Sequence, residues 1–141
     1  MVSRRVFAVC AVACAVAPSD AFAAERLRAT DLWAGGGEFS EVARRHAGRV
    51  VAMRGYMAPP LKPEASFFVL TRVPMAVCPF CDTEANWPQD LVLVETRGPV
   101  RAANFNDLIE VSGRLDLGAK TDANTGFVSR VRLVEATWTR A

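Results

Sequence analysis

The stretch "LIEVSGRLDL", Leu108 to Leu117, alternates strictly, with Ile109, Val111, Leu115 and Leu117 on one side and Glu110, Ser112, Arg114 and Asp116 on the other. A period of two with one apolar face predicts a strand that meets a core on one side and water on the other. Working outward, the same pattern recurs in "RVVAMRGYM" (49–57), "SFFVLTR" (66–72), "DLVLVET" (90–96) and "FVSRVRLVEATW" (127–138). Turn-forming sequences separate them: "APP" after Met57, Gly98-Pro99, and "GAKTDANTG" (118–126). Gly55 and Gly113 interrupt strands, where a glycine weakens the ladder unless the sheet bends or bulges there. Five short strands with such bends predict a mainly β fold, a five-stranded OB-like partly open barrel over residues 49–141, since closure removes most exposed edge. A two-sheet sandwich satisfies the same periodicity.

Upstream, residues 24–48 predict a short helical N-terminal segment. Phe39, Val42, Ala43 and His46 fall on one helical face, with Glu41, Arg44 and Arg45 away from it. Gly35 to Gly37 break the segment and Gly48 ends it; the glycine run lacks the lysine of a phosphate loop. Ahead of it, residues 1–23 read as a cleaved signal peptide: Arg4 and Arg5, the apolar run "VFAVCAVACAVA", then "AFA". The run is too short to anchor in a bilayer, for which about 20 apolar residues are needed. The expectation is a periplasmic protein without stable membrane insertion; acylation at Cys14 is the alternative processing route, disfavoured because the apolar stretch continues past it. Loss of residues 1–23 takes Arg4, Arg5 and Asp20 from the 17 basic and 15 acidic residues, leaving a net charge of +1. So weak a field argues against nucleic acid as a partner, although Arg130 and Arg132 share one face of the last strand.

Of the four cysteines, Cys10 and Cys14 leave with the signal peptide, so Cys78 and Cys81 in "PMAVCPFCDTEANWP" (74–88) are the remaining pair. Haem attachment fails because Asp82, not histidine, follows the motif. Thiol–disulfide exchange wants the first cysteine at the start of a helix in a βαβ setting, and "DTEANW" before Pro88 provides little more than one turn. Thiol–disulfide exchange stays open as a further alternative beside two other readings. Two thiolates are half of a zinc or copper site, with His46, Met75, Asp82 and Glu84 as candidates for the other half; Met75 suits Cu(I). Alternatively the pair is a disulfide that braces the loop between the second and third strands, worth about 2 kcal/mol for so short a ring. With one histidine and no "GxSxG", no hydrolase constellation is present, and the expectation leans away from an enzyme.

Trp33, "VVAMRGYMAPP", "FFVLT", "CPFC", "LVLVE" and "LIEVSGRLDLG", in that order over residues 30–138, resemble an uncharacterised family of exported bacterial OB-like proteins, a domain of unknown function. The distinctive pieces are "RGYM" with prolines after it and the cysteine-bearing loop beyond. Association of some of its members with metal uptake or export implies an accessory role for this chain, with a component of a metal-transport system as partner.

Overall fold

The structure, a computed structural model, describes residues 23–59, 65–75 and 90–141. Among the described residues six strands form one sheet: β1 (Glu25–Arg26), β2 (Val50–Met57), β3 (Phe67–Thr71), β4 (Val92–Glu95), β5 (Leu108–Thr121) and β6 (Val128–Arg140). The order is β1-β2-β3-β4-β6-β5, and β5 pairs again with β2, so the ladder returns to its start. β2 lies antiparallel along β5 from Val50 opposite Arg114 to Tyr56 opposite Leu108. β5 and β6 form a long antiparallel hairpin, and the parallel pairing of Leu93 and Val94 in β4 with Arg132 and Leu133 in β6 joins the two sides. The described strands therefore belong to one continuously paired sheet.

The alternation in "LIEVSGRLDL" is realised as predicted: Ile109, Val111 and Leu115 are buried, and they meet Val51, Met53, Phe68, Val94 and Leu133 in one core. β5 runs further than its periodicity indicates, to Thr121, because a register shift between Leu117 and Lys120 absorbs Gly118 at φ +108°. A second shift lies between Ser112 and Arg114, where β6 carries the extra residue and Glu135 takes φ +51°. Gly113 faces that bulge, and a β-carbon there would lie 3.0 Å from that of Ala136.

The N-terminal segment departs from the helical expectation. It opens with β1, parallel to Val51 and Ala52, continues through 3-10 turns at Ala29–Leu32 and Gly35–Gly37, and becomes α-helical over Glu41–His46 (α1). Ser40 caps α1, accepting from the Ala43 amide and donating to the Asp31 carbonyl. The residues from Glu25 on thus join the same sheet and core as residues 49–141: Leu27, Leu32 and Ala43 are buried in it. Trp33 stacks on Phe39 at 4.9 Å between centroids, and the Arg130 guanidinium lies 4.9 Å from the Trp33 ring while donating to the Gly37 carbonyl.

No helix among the described residues is long and apolar enough to cross a membrane.

Candidate functional site

The edge of β2 opposite β5 is shared unevenly. β1 takes it at Val51 and Ala52, and β3 takes it at Tyr56 and Met57. Between them, Met53, Arg54 and Gly55 have no ladder partner on that side among the described residues. Gly55 holds β3 close all the same, since a β-carbon there would fall 2.5 Å from the Thr71 carbonyl oxygen. The Thr71 hydroxyl, buried, is shared between the Tyr56 and Val73 carbonyls at 3.2 and 2.7 Å and fixes the end of β3.

A cavity of about 270 Å³ opens at this gap. Leu27, Met53, Leu70 and Val92 form its floor, and all four are buried core residues. Arg26, Arg28, Arg54 and Arg72 stand at its rim. Acids hold these cations in position. Glu110 accepts from both Arg26 and Arg54 on the same oxygen, each at 2.8 Å, and this pair of guanidiniums holds its carboxyl below the usual carboxylate range, Arg54 contributing most. Arg28 meets both oxygens of Asp31, which lowers the Asp31 pKa. Arg72 stands 3.6 Å from Asp90, itself part of the lining.

Arg72 and Asp90 also mark where the cysteine-bearing segment leaves and re-enters the sheet. Cys78, Cys81, Asp82 and Glu84 lie outside the described residues. Met75, at the root of that segment, is half-buried. His46 is buried and fully engaged: Nδ1 bonds to the Val42 carbonyl and Nε2 to the Glu25 carboxylate, both at 2.8 Å. Donation by both nitrogens requires the imidazolium, and Glu25 first, then the Val42 carbonyl, raise the pKa of His46 above its ordinary value. To bind a metal, His46 would have to release one of these partners. Among the described residues no group of three or more His, Cys, Asp and Glu side chains is gathered as a cation would require.

The cavity was not legible in the sequence, because it is assembled from four separated segments at a break in one strand's pairing. The run of arginines at every second position of the N-terminal segment, Arg26 and Arg28, was the sole local sign of it. The two arginines singled out on the last strand do other work. Arg132 is 3% exposed and donates to Asp116, Gly118 and Ser129, while Arg130 is held against Trp33.

No protein-family model matches the chain, and no curated protein matches it either. Among solved structures the chain is similar to a DUF3299 family protein of Pseudomonas aeruginosa PAO1, with a TM-score of 0.54 and 14% identity, over 84% of this chain and 98% of that one. At that identity the likeness is one of fold alone. The neighbour's family is a domain of unknown function, which is the kind of family that the residues of this chain resemble.

Proposed function

We propose that the chain is an exported, periplasmic accessory protein built on a five-stranded, partly open OB-like barrel, and that it binds its ligand at the end where the Cys78–Cys81 segment is rooted. The observation that carries this reading is the interrupted edge of β2: the cavity there is lined by Arg72 and Asp90, the residues that bracket the cysteine-bearing segment. Ligand sites on a barrel of this kind belong in such places, where a rigid wall supports a variable loop. The ring of pairings among β2, β3, β4, β6 and β5 supports the barrel, and β1 then acts as an added strand on it.

On this reading Cys78 and Cys81 supply two thiolates to a zinc or copper ion in support of metal transport or homeostasis. Met75, half-buried at the root of the segment, is a third soft donor suited to Cu(I), and Asp82 or Glu84 would complete a harder set for zinc. His46 is left out, because both of its nitrogens serve the fold. Metal content of the protein purified under reducing conditions is the test: about one zinc or copper per chain in the wild type, lost in Cys78→Ser/Cys81→Ser, supports it. Background metal in both proteins rejects it.

The Arg72–Asp90 ion pair at 3.6 Å favours a second reading, in which the segment is a closed loop braced by a Cys78–Cys81 disulfide. It predicts no titratable thiol in the native protein and a lower melting temperature after reduction. Free thiols with unchanged stability reject it.

A further inference from the structure

We infer that the arginine-rimmed cavity beside β2 takes a small amphipathic monoanion: an apolar chain or ring seated on the core side, with a carboxylate or similar oxyanion at the guanidinium rim. This deepens the reading of that end of the barrel as the binding end and rests on it, independently of whether the cysteines hold a metal.

Met53, which is 1% exposed, and its exposed neighbour Arg54, on opposite faces of β2, both line the cavity. An occupant therefore meets apolar carbon first on Leu27, Met53, Leu70 and Val92, then guanidinium nitrogen as it emerges. The depth suits a short apolar body. At about 270 Å³ the space lies near the lower end for small-molecule sites, which begin at roughly 300 Å³.

The sign of the charge follows from the count at the rim. The lining holds four arginines and one acid, Asp90; with Glu110 and Asp31, which pair with Arg26, Arg54 and Arg28 from outside the lining, one positive charge is left in excess. Each guanidinium has five N–H donors, and the bonds just described engage a minority of them on Arg26 and Arg54. The two are held as a pair by a single Glu110 oxygen, with the rest of each planar fork available for an oxyanion, the ligand geometry guanidinium matches best. A neutral apolar ligand would leave that excess charge uncompensated at its mouth, and a cation would be repelled by it.

Titration calorimetry and amide chemical-shift mapping with three probes of equal chain length test this on the full chain as its host processes it: octanoate, 1-octanol and octyltrimethylammonium. The expected result is saturable binding of octanoate, at least tenfold tighter than of the other two, with shifts at Leu27, Met53, Arg54 and Leu70. Arg26→Gln and Arg54→Gln alter side chains that are 55% and 47% exposed, so the fold persists, as an unchanged circular dichroism spectrum will verify. Each should weaken octanoate about threefold, and the pair about tenfold, without changing octanol. Equal binding of octanoate and octanol, or variants that bind octanoate like the wild type, overturns the anion while sparing the binding end. Shifts confined to another surface, or no binding of any probe, overturns the cavity as a site altogether.

Discussion

His46 shows how a single side chain ties two parts of the N-terminal segment, β1 and α1, together. Its imidazole is buried between the Glu25 carboxylate of β1 and the Val42 carbonyl of α1, which favour the protonated ring, with Arg45 nearby opposing it. A histidine whose pKa rises on folding contributes stability that is fully present below its unfolded value, near 6.5, and is lost as pH climbs through the folded value. The melting temperature should therefore decline from pH 6 toward neutral and weakly basic pH, and His46→Gln should flatten that decline. A wild-type profile as flat as the variant's would refute the assignment. The other shifted carboxyls, on Asp31, Glu110 and Asp122, are all lowered, so they act on stability only as pH falls into the acid range. Gly55 makes a second residue-scale prediction. The 2.5 Å approach of a β-carbon to the Thr71 carbonyl means that Gly55→Ala must push β3 away, costing about 2 kcal/mol in denaturant titration, in the range of overpacked cores. The sequence made Gly55 and Gly113 readable as points of bending or close approach. It could not reveal the partner of His46, because Glu25 lies 21 residues away and sits in a strand too short to show any period.

Among the elements, the β5–β6 hairpin is the best braced. Arg132 and Asp116 are directly opposed across it, and the hairpin's own Gly118 and Ser129 carbonyls cover the buried guanidinium. Asp116→Ala leaves a buried cation short of its counter-charge, and unfolding free energy should drop by about 2 kcal/mol, with Asp116→Asn between the two. Arg130→Ala loosens the Trp33–Phe39 clasp instead and should cost about 1 kcal/mol, with a change in tryptophan fluorescence as the readout. β5 was legible through its strict alternation, and β2, β3 and β4 through short apolar runs bounded by turn residues. Strands were misjudged where geometry overrode pattern. β5 extends into a sequence rich in turn formers because a bulge at Gly118 carries it on, and the segment read as helical is drawn into a strand by the free edge of β2. Arg132 belongs to the same lesson: alternation turns it away from the core, yet the hairpin folds over it.

At the scale of the whole molecule, the seams of the ring are unequal. β2, β5 and β6 share long ladders, whereas β2–β3 and β4–β6 are each joined at two positions, Tyr56–Thr71 and Met57–Leu70 in one and Leu93–Arg132 and Val94–Leu133 in the other. Amide hydrogen exchange should follow this: strongest protection in β2, β5 and β6, weaker in β3 and β4, and uniform protection throughout would contradict it. The candidate cavity adjoins one of the weak seams, which is why no single stretch of sequence announced it. The parallel β4–β6 contact was equally hidden, since short strands with turns between them suggest antiparallel neighbours.

The order in which the strands join carries a further consequence for how such a chain is made. β2 waits for β5, some sixty residues downstream, and β4 waits for Arg132 and Leu133 of β6, so a nascent chain has no complete circuit to close until its last strand has been made. Interactions this distant along the chain close late and slowly. The polypeptide therefore stays largely unassembled until its last strand is available, and the ring is completed in a late step.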